Sequence, residues 1–332
     1  MAGKIDWEGQ LGRRLRLRDL HVFATVAERR SMAKAAIHLG VSQPAVSEVI
    51  AQLERELGVT LLEREPRGVE LTIFGKKLLA RSIAAFDELK QGVRELEYMA
   101  DPAAGELRIG CSESIATLMM PAVLNGFLKK YPRAVLHIEP LTTPTFEMPM
   151  LRDRTLDLLF ARINSMQDDH HDLNLELLFS DHLLLVTGAH HPLAQRRKIK
   201  FEEVAEQPWL LAPARSWNTR ILQRTFTKHG LPMPRSSVVC YSFHLRASML
   251  ADGRFVTAMP YSAMLFAADR YSLKVLPVEI SNDPWPIGVV TLKNRNLSPV
   301  AQVFIDHLRD FIVRAAPDHV PEAAKRRARS KP

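Results

Sequence analysis

Two cysteines in 332 residues, Cys111 and Cys240, leave no disulfide framework to build. A reducing, cytosolic compartment with both thiols reduced is the expectation. No apolar run reaches the roughly 18 to 20 residues that span a bilayer, so no membrane partner is expected. The N-terminal stretch "MAGKIDWEGQLGRRLRLRDL" lacks the apolar core of a secretory signal. Neither a Walker loop, nor G-x-G-x-x-G, nor G-x-S-x-G occurs, and no catalytic constellation is visible, so no enzyme and no cofactor is expected. "DDHHD", Asp168 to Asp172, lacks the i, i+4 spacing of a helical zinc site and reads as a polar surface loop; "HH" at His190–His191 reads the same way. Cys111 reads as a buried strand-end residue, with no basic neighbour in sequence to activate it.

What is present is an ordinary globular composition, 46% hydrophobic and 25% charged. Length alone suggests two or three domains. The net charge of +8 permits an anionic partner without proving one. Residues 1–82 carry 14 Lys/Arg against 10 Asp/Glu, a net of +4. "KRRARSK", Lys325 to Lys331, is a second basic cluster, read as a flexible solvated tail over 317–332.

Leu20, Phe23 and Ala27, with Ala24 beside them, mark a helix over 18–29. Ser31 can cap a second helix, 32–39, with Ala35, Ala36 and Leu39 inward and Gly40 in the left-handed closing position. Ser42 is a fresh N-cap and Pro44 sits in the first turn, where its missing N–H costs nothing. The third helix runs to Leu57 and ends at Gly58. Its Val46, Ile50, Leu53 and Leu57 form one buried stripe. The opposite face starts with Gln43, Pro44, Ser47 and Glu48 and continues through Ala51 and Glu54. A helix–turn–helix places such a start in a major groove, where Gln43 can pair with adenine, Ser47 can serve either strand and Pro44 can touch a thymine methyl. A bare αα-corner with a solvated outer face shows the same pattern. "LLEREPRGVELT", Leu61 to Thr72, has the turn and alternation of a β-hairpin, from which Arg64 and Arg67 would reach phosphates.

The run from "LRDLHVFATVAERRSMAKAAIHLGVSQPAVSEVIAQLERELG" through "VTLLEREPRGVELTIFGKKLL" resembles the winged helix–turn–helix of LysR-type transcriptional regulators. Phe23, Ser31, Ala35–Ala36, Val41 to Ser47, Leu53–Glu54, Gly58, Arg64, Leu71–Thr72 and Gly75 carry the likeness. The resemblance implies a DNA-binding head over 15–72, its helix–turn–helix at about 32–51. The DNA-facing residues are then Ser31, Lys34, Ser42, Gln43, Pro44, Ser47, Glu48, Arg64 and Arg67. Leu62 and Glu48 depart from the common pattern. A carboxylate at Glu48 repels phosphate unless it accepts from cytosine N4.

From Ile73 to Ala100, Leu79, Ile83, Phe86, Leu89, Val93 and Leu96 approximate a coiled-coil seam, uninterrupted by glycine or proline over 76–91. Pairing with a second copy hides that strip; packing on the chain's own C-terminal domain is the alternative. The resemblance implies a linker-helix homodimer, and a homotetramer built from it, on double-stranded promoter DNA. "ADPAAGE", Ala100 to Glu106, reads as a hinge.

Beyond it, "ELRIGC", "AVLHIEP", "LDLLFA", "HLLLVTG", "PWLLAP", "SVVCYS", "FVTAMP", "LKVLPV" and "IGVVTL" alternate with helical stretches, and an amphipathic helix over 298–315 closes the series. Such alternation predicts an α/β fold with mainly parallel sheets. "GELRIG", "YP" at Tyr131–Pro132, "LDLLFARI", "HHPLA", "ADGRFVTAMP" and "SPVAQVFIDHLRDFI" resemble the LysR effector domain. The resemblance implies a periplasmic-binding-protein-like, Rossmann-like pair of lobes over 101–316, lobe I at about 105–178 and 278–316, lobe II at about 180–275. Ligands in such folds sit beyond strand carboxyl ends. That singles out Ser112 and Ser114, Thr142 and Thr143, Arg215, Ser216 and Trp217, and Phe243 beside His244; any single hydroxyl taken alone reads as a helix cap or turn, and only their clustering at strand ends lifts the set. A small carboxylate or sugar-type metabolite suits them. The function expected is a regulator whose DNA-binding geometry responds to a small effector. The alternatives are a solute-binding or enzymatic α/β protein with an incidental helical head, and a non-specific architectural DNA binder.

Overall fold

The computed structural model describes residues 15–65, 68–141, 148–163, 171–280 and 284–321. The chain divides into two units, Met1–Val93 and Arg94–Pro332.

In the first unit α1 (Leu17–Arg29), α2 (Met32–Leu39) and α3 (Gln43–Leu57) are followed by the antiparallel strands β1 (Leu62–Glu65) and β2 (Gly68–Leu71). The expected capping is present. The Ser31 hydroxyl accepts from the Lys34 N–H at 3.3 Å and Ser42 from the Ala45 N–H at 3.4 Å. Gly40 and Gly58 both close their helices at φ 66°, a conformation costly for residues with a Cβ. Val46, Ile50 and Leu53 are buried, each contributing about 2 kcal/mol of burial free energy. Leu57 packs at the edge of that core. On α1 the buried set is wider than the expected stripe, since Val22, Thr25 and Val26 join Leu20 and Phe23, whereas Ala24 and Ala27 are only half-buried. The Val69 N–H donates to the Arg30 carbonyl, fixing the hairpin to the corner between α1 and α2.

One helix, α4 (Ile73–Ala100), follows. The expected seam divides along its length. Leu79 and Phe86 pack against the core of their own head, and Ile83 is half-buried. Leu89, Val93, Leu96 and Met99 are 52%, 55%, 67% and 78% exposed. The winged head therefore covers the first part of the strip, where a second copy or the C-terminal domain was expected.

The second unit holds two mixed five-stranded sheets. In the first the order is β4 (Arg133–Leu141), β3 (Ala104–Ser112), β5 (Leu158–Arg162), β12 (Trp285–Leu292), β6 (Leu173–Asp181). In the second it is β11 (Leu273–Val275), β7 (Leu183–Gly188), β10 (Val256–Pro260), β8 (Trp209–Leu211), β9 (Ser236–Val239). β3 runs parallel to β4 and β5, and β8 parallel to β9 and β10, but β12 and β7 are antiparallel to their neighbours. The expectation of mainly parallel sheets is thereby corrected: the chain crosses between sheets at Asp181–Leu183 and again after β11, so each sheet receives strands of reversed direction. The helices are α5 (Met120–Lys130), entered through a wider turn at Ile115–Met119, α6 (Met148–Arg152), α7 (Phe201–Ala205), α8 (Trp217–Lys228), α9 (Phe243–Ala251), α10 (Tyr261–Ala267) and α11 (Pro299–Ala315). One apolar core, with Phe127, Phe160, Trp209, Phe226 and Phe304 among its members, runs through both lobes.

The stretch expected to hinge is short and tied. The Asp101 N–H donates to Glu97 O, and the Asp101 carboxylate accepts from the Ala103 N–H and pairs with Arg133. His191, expected on a polar surface loop, is buried; its Nδ1 accepts from the Leu193 N–H at 3.1 Å. Burial pushes its pKa down, because the charged ring is poorly solvated there.

Candidate functional site

Two sites emerge, one in each unit. At the start of α3, Ser42, Gln43, Pro44 and Glu48 are exposed and Ser47 is half-buried. Val46 and Ile50, on the opposite face, lock the helix to the core. Gln43, Glu48 and Lys34 make no side-chain hydrogen bond or ion pair among the described residues, so their polar groups remain available to a partner. Glu54 does not belong to that face: its Oε1 accepts from the Leu61 and Leu62 N–H groups at 2.7 and 3.1 Å, tying β1 to α3. Arg67 lies outside the described residues, and β1 carries the backbone of Arg64.

In the second unit a cavity of about 180 Å³ opens at strand carboxyl ends, where α/β folds hold ligands. Ser112 and Arg162 end β3 and β5, Pro260 ends β10, and Ala212 and Tyr241 follow β8 and β9. Arg162 is clamped between indoles, its guanidinium carbon 3.8 Å from the Trp285 ring centre and 5.0 Å from that of Trp217. Burial lowers its pKa to about 9, and the charge of Asp181 only partly offsets that. Asp181 is itself buried. Its carboxylate accepts from the His182 N–H, the Ser262 N–H and the Ser262 hydroxyl at 2.9, 3.1 and 2.6 Å. Desolvation raises its pKa and those hydrogen bonds oppose the rise. Arg246, 5% exposed, touches the Ala258 carbonyl at 3.4 Å and leaves its Nε without an acceptor. Desolvation lowers its pKa too. Glu113 Oε2 accepts from the Phe243 N–H at 2.9 Å, joining the first lobe to the start of α9. Such a chamber offers charged and aromatic groups suited to a small polar ligand. No cluster of three or more His, Cys, Asp or Glu suited to a metal ion occurs among the described residues, and none of their helices is long and apolar enough to cross a membrane.

Residues 17–76 match the family described as bacterial regulatory helix-turn-helix protein, lysR family, and residues 100–312 match the LysR substrate binding domain. The chain belongs to the LysR family of transcriptional regulators. Relatives of this LysR regulator include the transcriptional dual regulator GltC of Bacillus subtilis (strain 168), 29% identical over 300 residues, covering 90% of this chain and 97% of GltC. PcaQ of Agrobacterium fabrum, an HTH-type transcriptional regulator, is 28% identical over 301 residues, 90% of this chain and 95% of PcaQ. A full-length OxyR variant from Pseudomonas aeruginosa has the same fold, at a TM-score of 0.61 and 21% identity over 93% of this chain and 98% of its own. The family supplies both activities, DNA binding by the head and small-molecule binding by the domain behind it.

Of the effector residues expected from sequence, Ser112, Ser114, Ser216, Trp217 and Phe243 line the cavity of this LysR regulator. Ser112 and Ser114 hydroxyls lie 3.2 Å apart. Ser216 is spent on capping α8, accepting from the Thr219 N–H and donating to Thr219 Oγ1. Arg215 is exposed and outside the lining; His244 instead meets the Tyr271 hydroxyl at 2.8 Å. Thr142 and Thr143 lie outside the described residues. Arg162, Asp181, Arg246 and Trp285 escaped the sequence reading. A signal existed for the two arginines, each a lone charge in an apolar stretch, "LLFARI" and "FHLRASML".

Proposed function

We propose that the start of α3 reads base edges in a major groove through Gln43, Pro44, Ser47 and Glu48. In this reading Ser31, Lys34, Ser42, Arg64 and Arg67 lie towards the backbone, and residues 15–72 form the DNA-binding head. The supporting observation is the exposed Gln43 amide, with no hydrogen-bond partner among the described residues, on a helix whose far face is buried. A second copy pairs along α4 through Leu89, Val93 and Leu96, with Leu79, Ile83 and Phe86 shared between that contact and the head's own core. Two-fold pairing presents two heads to an interrupted palindrome, and further pairing gives a tetramer. A small effector binds in the 180 Å³ cavity within residues 101–316 and favours one arrangement of the assembly, changing the spacing of its heads on promoter DNA. The site of action is the cytoplasm, and 317–332 forms a basic tail.

Footprinting on genomic fragments, with and without a panel of small metabolites, tests this. A protected, partly symmetric site whose length changes with one metabolite is the expected result. Equal affinity for all duplexes overturns it, since a specific regulator prefers its site by about 10³ or more.

A further inference from the structure

The cavity has an imbalance of hydrogen-bonding groups. Asp181, its buried acid, already takes three donors. Its two arginines are short of acceptors: Arg162 lies against indole faces near the charge of Asp181, with no acceptor for its N–H groups among the described residues, and Arg246 has the Ala258 carbonyl at 3.4 Å but no acceptor for its Nε. A buried donor without an acceptor carries its full desolvation cost, and more so when charged. Arg162 comes from β5 of one sheet and Arg246 from α9 beside the other, so the two guanidiniums face one chamber from two lobes. Glu113 bridges the same lobes by placing its carboxylate on the first N–H of α9, a position that favours an anion.

We propose that the cleft takes a short organic acid with two carboxylates, one seated on Arg162 between the indoles and the other on Arg246 at the start of α9, where it displaces Glu113. The inference rests on the cavity being the effector site and names the class of effector. A monocarboxylate leaves one guanidinium unmatched, and a neutral sugar leaves both. An ammonium meets an Asp181 that already takes three donors. The volume of about 180 Å³ lies below the roughly 300–1,000 Å³ of drug-sized sites, which limits the acid to a short chain. Glu113 is then an internal competitor, and the ligand replaces one bridge between lobes with another.

Fluorescence of the full-length protein reports the event, because Trp217 and Trp285 line the cavity. Malonate, succinate and glutarate serve as probes, with butyrate and succinamide as controls. The expected result is saturable binding of at least one dicarboxylate, about tenfold or more weaker binding of butyrate, and none of succinamide. Glu113→Gln tightens the dicarboxylate by about tenfold, while Arg162→Met and Arg246→Met each weaken it by about that factor. Arg162→Met stands alone if Arg246→Met fails to fold. No response to the three diacids, equal binding of butyrate or succinamide, or unchanged affinity in Glu113→Gln overturns the proposal and leaves the cleft open to another effector. Binding that survives both arginine substitutions unchanged places the ligand elsewhere and removes the effector-cleft reading as well.

Discussion

Asp157 offers the sharpest test of how the effector unit is held together. It is 4% exposed, and Arg295 beside it is 6% exposed. One Asp157 oxygen accepts from Arg295 at 2.7 Å and from Arg94, on the last turns of α4, at 3.4 Å; the other accepts from the Arg108 N–H at 2.7 Å. Arg295 adds a bond to the Leu156 carbonyl at 2.7 Å. Asp157→Asn keeps the volume and an acceptor for Arg108 but removes the charge opposite a buried guanidinium. Breaking such a pair from one side costs about 3–5 kcal/mol, a large part of the roughly 5–15 kcal/mol that holds a domain together. For a unit of this size the melting temperature then falls on the order of 10 °C. Thermal unfolding followed by circular dichroism reads it directly. Arg295→Met should restore part of the loss when combined with Asp157→Asn, because a buried guanidinium no longer faces a neutral amide. A loss under about 1 kcal/mol for Asp157→Asn, or simple additivity in the double variant, refutes the reasoning.

Gln43→Ala should weaken binding at the cognate site by about 1–3 kcal/mol and relax preference at one base pair, as read by competition with base-substituted sites. Leu89→Asp should shift sedimentation of the full chain towards monomer, since it puts a charge in the exposed strip of α4. Ser42→Ala should cost about 1 kcal/mol in urea unfolding of the head through loss of the α3 cap. His191 has a folded pKa below its ordinary value of 6.5, so its contribution is full above that value and is lost as pH falls through it towards the folded pKa. Stability should therefore drop as pH falls below about 6.5, and His191→Asn, which keeps an acceptor for Leu193, should make the slope shallower.

The head was legible because its signals are local. Ser31, Gly40, Ser42, Pro44 and Gly58 each fix a boundary within a few residues, and the structure places α1 to α3 on them. Glu54 was misread because its partners, Leu61 and Leu62, lie across a turn that helical periodicity does not see. In the second unit β6 went unread: its burial alternates irregularly along an edge, so neither a continuous apolar run nor a clean period of two announces it. The antiparallel pairings of β7 and β12 follow from crossovers between sheets, a long-range property that strand–helix alternation does not encode. The hydroxyl loops were found by their place after strands. The arginine chamber was not, because Arg162, Trp217, Arg246 and Trp285 meet only when four distant segments close together.

The carboxylate of Glu54 has a mechanical consequence. By gripping two successive amides at the base of the hairpin, it makes α3, the helix proposed to read the groove, and the hairpin a single rigid gauge. A duplex whose groove width or curvature does not match that gauge must itself deform, and the energy of that deformation depends on its base sequence. Selectivity then extends to base steps that no side chain touches, with one half-buried acid setting the calibre.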